Sequence, residues 1–114
     1  MPTNESQLVT QIQKALRKRW PNAWVFKVVG NPYQESGVPD ILAVVDGLTC
    51  GIEVKHQKPG ESEQHARERT SALQRVQIQR IIRAGGIAGT ALSSAEAIEI
   101  IERGLRRRGE RHGT

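Results

Sequence analysis

GVPDILAVVDGLTCGIEVK, residues 37–55, is the stretch around which the chain is organised. Two apolar runs, Ile41 to Val45 and Leu48 to Val54, flank the turn signal Asp46-Gly47, and the pattern predicts a β-hairpin. With Asp46 and Gly47 as the turn, Val45 pairs with Leu48, and continuing that register brings Asp40 opposite Glu53. Directly opposed side chains have Cβ atoms about 4.5–5.5 Å apart, where like charges destabilise a sheet. A cation has to compensate. Lys55, two residues beyond Glu53, falls on the same face of the strand. The reverse face carries Ile41, Ala43, Val45, Leu48, Cys50, Ile52 and Val54, with no polar residue. A one-residue slip would scramble that face, so the apolar pattern supports the same register.

On the N-terminal side, Ala23 to Val29 reads as a strand, with Trp24, Phe26 and Val28 on one face and Val25, Lys27 and Val29 on the other. A loop rich in Gly, Asn and Pro, from Gly30 to Gly37, delivers the chain to Asp40. Further upstream, Asn4 is an N-cap with Gln7 as its capping-box partner, ahead of Leu8, Val9, Ile12, Ala15 and Leu16 at helical spacing. Lys14, Arg17, Lys18 and Arg19 make the end of that helix basic, and Pro21 stops it.

Beyond the hairpin, the segment from His56 to Arg69 has no apolar periodicity and reads as a mobile basic loop. Ser71 and Gln74 form a second capping box, opening a helix that runs to about Ala84, where Gly85-Gly86 ends it. Both Gln74 and Gln77 fall within its apolar sector, and polar residues there need partners. Ile87 to Leu92 reads as a short buried strand. Ser93 and Glu96 start a last helix with Ala97, Ile98, Ile101 and Leu105 facing inward. From Gly104 onward the arginines predict a frayed basic tail, leaving residues 1–104 as a single domain and 105–114 as a disordered end. The order αβββαβα implies an α/β fold with a mixed central sheet flanked by helices.

A chain of 114 residues supports one core and not two. The net charge of +5 and isoelectric point near 10.0 favour a polyanionic partner such as nucleic acid. The single Cys50 excludes an intramolecular disulfide framework, and no closely spaced Cys/His cluster suggests zinc. No apolar run reaches the length of a membrane span and no signal pattern opens the chain, so a cytoplasmic protein is expected.

Two carboxylates on adjacent strands suit a hard divalent cation, because Mg²⁺ is held by one or two carboxylates and keeps several waters. Mn²⁺ would substitute. The Val54 carbonyl, between Glu53 and Lys55, offers a third oxygen. A lysine beside such an ion can orient or deprotonate a water, or stabilise charge developing on a phosphoryl oxygen. This is equipment for phosphodiester hydrolysis.

Gly37-Val-Pro-Asp40, Glu53-Val-Lys55, Leu73-Gln74 and Ala84-Gly85-Gly86, in that order, resemble the PD-(D/E)XK nuclease superfamily, most closely its VRR-NUC branch, over about Glu5 to Ile101. Stand-alone members of that branch are small phage or bacterial proteins similar to Holliday junction resolvases. The resemblance implies a restriction-endonuclease-like core, with Asp40 and Glu53 as metal ligands and Lys55 as the catalytic lysine. Glu5 matches the family's glutamate on the first helix, and Gln74 its glutamine on the helix after the Glu-x-Lys strand; Gln77, one turn on, is the alternative. Both residues also have structural readings, Glu5 as an acidic residue favoured by the helix dipole and Gln74 as the partner of Ser71. The resemblance further implies a homodimer acting on branched or duplex DNA, in the host cytoplasm if the protein is phage-encoded. The segment 57–70 is longer and more polar than a minimal member needs.

Lys27, His56, Lys58, Arg67 and Arg69 are the candidate DNA contacts, and the arginine tail could add phosphate contacts that weaken with salt. The function expected is thus a Mg²⁺-dependent DNA endonuclease. Selectivity for DNA structure is favoured over sequence because no recognition helix or finger motif is present. Two alternatives stand beside it: a duplex-cleaving or nicking nuclease, and a non-catalytic nucleic-acid-binding module of the same fold.

Overall fold

The computed structural model describes residues 2–30 and 36–112; part of the loop expected after the first strand, residues 31–35, and the last two residues of the tail lie outside the described residues. The elements are α1 (Glu5–Arg19), β1 (Trp24–Lys27), β2 (Ile41–Val45), β3 (Leu48–Val54), α2 (Glu63–Glu68), α3 (Ala72–Arg83), β4 (Ile87–Ala91) and α4 (Ser94–His112).

The hairpin turns at Asp46 and Gly47, whose φ angles are 49° and 80°. Two left-handed residues in succession match the twist of the flanking strands, and an Asp-Gly pair tolerates that conformation best. The ladder runs Val45↔Leu48, Ala43↔Cys50 and Ile41↔Ile52, the register expected from the turn. β1 pairs antiparallel with β2 from Trp24↔Val44 to Lys27↔Ile41. β4 joins β3 in parallel, setting Glu53 beside Thr90. The sheet is mixed, in the order β1-β2-β3-β4.

The apolar face of the hairpin is the floor of the core. Ile41, Ala43, Val45, Cys50, Ile52 and Val54 are buried there against Leu8, Val9, Ile12 and Leu16 of α1 and Ala97 and Ile101 of α4. Burial pushes the Cys50 thiol up to about 12, so it stays protonated and acts as a small apolar residue. The other face of the sheet is covered by α3 only over β3 and β4. Gly51 permits that approach: a Cβ there would stand 2.7 Å from Ile81 Cδ1 and 3.0 Å from Pro39 Cγ.

Three expectations change. The segment after β3 is ordered rather than a loop throughout: Ser62 accepts from the His65 amide and caps α2, whose Ala66 is fully buried. The basic end is no frayed tail, because α4 continues to His112. Gly104 lets it do so, since a Cβ at that position would meet Ile87 Cγ1 at 2.4 Å, and beyond it Arg108 donates to the Asp46 carbonyl at 2.9 Å. The arginine-rich stretch is thereby helical and fastened to the hairpin turn. Finally, β1 ends at Lys27 rather than Val29, although the Val28 amide still donates to the Asp40 carbonyl at 2.8 Å.

The capping chemistry follows the sequence with small shifts. Ser71 and Gln74 form the reciprocal capping box of α3. Asn4 accepts from the Gln7 amide as expected, but the Gln7 side chain reaches back to the Thr3 amide instead of that of Asn4. Among the described residues no helix is long and apolar enough to cross a membrane.

Candidate metal centre

Asp40 lies one step beyond the last ladder pair of β2 and β3, Ile41↔Ile52, and the strand geometry carries it to the position facing Glu53. Asp40 Oδ2 accepts from the Val54 amide at 2.8 Å, which pins the carboxylate against β3. The Asp40 carbonyl, bonded to the Val28 amide, ties the same residue to the strand on its other side.

Glu53 is 1% exposed, and neither of its carboxylate oxygens accepts a hydrogen bond from a described residue. The Lys55 ammonium, itself only 11% exposed, stands 3.4 Å from Glu53 Oε2, within ion-pair reach but without hydrogen-bond geometry. Burial, and then the neighbouring Asp40, push the Glu53 carboxyl up to about 7, and the opposing pull of Lys55 does not cancel them. A buried carboxylate whose one cationic neighbour lacks hydrogen-bond geometry is expensive to keep charged.

The loop preceding Asp40 is held by a close contact that sequence spacing does not show. Gly37 has φ 82°, and a Cβ there would sit 2.6 Å from both the carbonyl carbon and the oxygen of Leu73. The backbone of the Gly37-Val-Pro-Asp40 segment therefore rests directly on the first turn of α3, and Gln77 Nε2 donates to the Ser36 carbonyl at 3.2 Å. Gly37→Ala is expected to cost about 2–4 kcal/mol, from the left-handed backbone and a clash with main-chain atoms that cannot turn aside. Thermal unfolding of the variant measures it, and a melting temperature matching wild type would show that the contact yields.

Of the residues singled out from the sequence, Asp40, Glu53, Lys55 and the Val54 backbone come together. The Gln74 backbone lies against Gly37, but its side-chain Oε1 accepts from the Ser71 amide at 2.8 Å, so its capping role is the one the structure displays. Glu5 is engaged elsewhere: its Oε1 accepts from Arg69 Nη1 at 3.0 Å. Arg69 also pairs with Glu61 and donates to the His56 carbonyl, so it fastens α1, the segment before α2 and the end of β3 into one cluster. Hydrogen bonding to Arg69 holds the Glu61 carboxyl down to about 2.

The expected DNA contacts divide the same way. Arg67 donates to Glu96 at 2.5 Å and to the Thr90 carbonyl at 3.3 Å, which makes it, like Arg69, an internal brace. His56 Nε2 lies 3.2 Å from the Pro2 carbonyl. Lys27 and Lys58 are exposed.

Two neighbours escaped sequence reading. Thr90 sits beside Glu53 in the parallel register, and its hydroxyl lies 3.4 Å from that of Thr70, a residue 5% exposed. Neither threonine belongs to a motif, and the register that places Thr90 there is set by a long crossover. Among the described residues no group of three or more His, Cys, Asp or Glu side chains is placed to hold a metal, so a cation at the Asp40–Glu53 pair would draw its further ligands from backbone and water.

No family model and no curated protein matches this sequence. A solved structure described as a VRR_NUC domain does match: it aligns with 82% of this chain and 92% of its own, with a TM-score of 0.52 and 22% sequence identity. The fold is that of a VRR-NUC domain. The mixed four-stranded sheet with α1 and α4 on one face and α3 on the other is the α/β, restriction-endonuclease-like architecture expected from the sequence. At this level of identity the likeness concerns the VRR-NUC fold, and the chemistry has to be argued from the residues it carries here.

Proposed function

We propose that this chain is a metal-dependent nuclease that hydrolyses DNA phosphodiester bonds at the Asp40–Glu53–Lys55 cluster. Glu53 carries the reading: it is an ionisable group, almost wholly buried, facing a second carboxylate, and neither of its oxygens accepts a hydrogen bond from a described residue. An apolar residue of similar size would pack at that position without the cost of desolvating a charge. A divalent cation supplies the compensation that the protein's own groups leave incomplete.

Asp40, Glu53 and the Val54 carbonyl would hold it, Mg²⁺ by preference and Mn²⁺ in its place. An oxygen that accepts one N–H, as Asp40 Oδ2 does, keeps a lone pair for a metal. In a strand the N–H and C=O of one residue point to the same edge, so the Val54 carbonyl is directed to the side from which its amide meets Asp40. Bound there, the cation would neutralise the two carboxylates and draw charge from the phosphate oxygens. Lys55, held toward Glu53 by their ion pair, would donate to the attacking water or to the phosphoryl oxygen on which charge develops. The chain's net charge of +5 favours a polyanion, and among the described residues exposed Lys27 and Lys58 have no carboxylate pair such as those of Arg67 and Arg69. Branched or otherwise structured DNA, of the kind Holliday junction resolvases take, is the substrate class proposed.

The test compares four-way junction, flap, single-stranded and blunt duplex DNA with Mg²⁺, with Mn²⁺ and with chelator. Wild type is expected to cut only with metal, and Asp40→Asn, which keeps an acceptor for the Val54 amide, to lose about 10²-fold or more in rate. Binding of every substrate with cutting of none would replace the nuclease reading by a non-catalytic binding module.

A further inference from the structure

The end of the sheet that α3 leaves uncovered carries two aromatic rings. Trp24 and Phe26 on β1 are 54% and 49% exposed, and their rings stack with centroids 5.4 Å apart and planes within 3°. Pairing of Trp24 with Val44 and of Phe26 with Leu42 puts both rings on the face opposite the core, the face that also bears Asp40 and Glu53. Phe26 is the diagonal neighbour of Asp40 across the β1–β2 ladder, a separation of about 7–8 Å between Cα atoms. Large aromatic side chains normally bury most of their area, so two exposed and mutually aligned rings beside the Asp40–Glu53 pair require an explanation.

The charges around them indicate what they meet. β1 is an edge strand, and its sequence, Trp24-Val25-Phe26-Lys27, alternates rings with the other face, where exposed Lys27 lies. Also on that side, Arg17 of α1 reaches the edge and donates to the Val25 carbonyl at 3.2 Å. A cationic edge beside a row of flat aromatic faces is the arrangement that binds single-stranded nucleic acid, the cations following the phosphates and the rings stacking with bases. A protein partner on an apolar patch would call for neither the coplanar rings nor the cations.

We propose that Trp24 and Phe26 form a stacking platform for unpaired bases of a DNA substrate, adjacent to the carboxylate pair. The inference deepens the nuclease reading and rests on it for the position of the cleaved phosphate: the preferred substrate has a single-stranded stretch next to the scissile bond. Fully paired duplex buries its base faces and cannot use the platform.

Fluorescence anisotropy of the full chain in chelator, with a duplex bearing a thymine overhang and a blunt duplex of equal phosphate number, tests it. Wild type is expected to prefer the overhang by about tenfold or more, and the Trp24→Leu/Phe26→Leu double variant to bring that ratio to about one, because leucine keeps apolar area but offers no flat face. Trp24→Phe should retain most of the preference. A 2-aminopurine in the overhang should be quenched by wild type and by Trp24→Phe but not by Trp24→Leu, a comparison that also decides the matter should the double variant fail to fold. Absence of a preference in wild type, or its survival in Trp24→Leu/Phe26→Leu, overturns the proposal. So does a wild-type dimer in light scattering that the leucines dissociate while the overhang preference is untouched, since the face would then be a self-interface. Metal-dependent cutting with a preference indifferent to the rings defeats the platform alone; a ring-dependent preference with no cutting of any DNA defeats the nuclease reading alone.

Discussion

Lys55→Ala is expected to slow DNA cleavage by about 10²–10⁴-fold at saturating Mg²⁺. The substitution removes two effects at once. It takes away the only cation shown beside the carboxylate pair among the described residues, and with it the donor positioned for the water or the phosphoryl oxygen. It also removes the charge that partly offsets burial and Asp40 at Glu53, so the carboxyl rises further above the value of about 7 that it has with the lysine present. Protons then compete more strongly with the metal, and the residual activity of the variant moves to higher pH. Single-turnover rates between pH 6 and 9 separate the contributions: a rate deficit persisting at pH 9 belongs to the lost donor, and the part recovered there to the carboxylate. Lys55→Arg, which preserves charge but not length, should fall between wild type and alanine. A rate for Lys55→Ala within a few fold of wild type across that range would remove the lysine from the mechanism.

Without metal, Glu53→Gln is expected to stabilise the protein by about 3 kcal/mol at pH 8, raising the melting temperature by roughly 15 °C. Folding raises the Glu53 carboxyl from an ordinary 4.5 to about 7, so the native state holds the proton more tightly than the unfolded chain does. The stability this contributes is complete below pH 4.5 and is lost as the pH climbs through 7. At 1.36 kcal/mol for each pH unit the full swing is about 3 kcal/mol, with the opposing pull of Lys55 already included in it. Glutamine stays neutral throughout, can donate its amide to Asp40, and should show no loss across that window. At pH 4, below the unfolded-state value, the two proteins should melt together. Glu61 has the opposite sign in a separate range: held down to about 2 by Arg69, its contribution is present above pH 4.5 and disappears as the pH falls toward 2. Mg²⁺ at pH 8 should raise the melting temperature of wild type and leave Glu53→Gln nearly unmoved, because a ligand that binds only the folded state stabilises it by mass action. A wild-type melting temperature that stays level from pH 5 to 8 in chelator would show that Glu53 is not strained.

The hairpin was legible because its determinants are local. Asp46-Gly47 sets the turn, and the two-residue alternation of Ile41 to Val54 permits one register; both act between residues close in the chain. Ser71 with Gln74 announced the start of α3 for the same reason. What escaped reading lacked a local signature. α2 is a helix of six residues with one buried, Ala66, too brief to show periodicity. The continuation of α4 past Gly104 depends on Ile87, a contact between distant segments that turns a helix-weakening residue into the one that fits. Arg67 and Arg69 counted as cations toward DNA in the sequence, whereas Glu96, Glu5 and Glu61 reach them only once the chain is folded.

The candidate centre divides along the same line. Asp40, Glu53 and Lys55 share a face because strand pairing and pleat require it, and the amino-acid order is sufficient for that. The burial of Glu53 is a different matter. It arises from the parallel β3–β4 pairing, which places Thr90 beside Glu53, and from α3 lying over β3 and β4 with its first turn against Gly37. Those contacts join segments far apart in the chain, where loop closure and side-chain packing rather than turn chemistry set the geometry. The two carboxylates were written in the hairpin; the desolvation that makes one of them strained, and suited to a cation, comes from the packing around it.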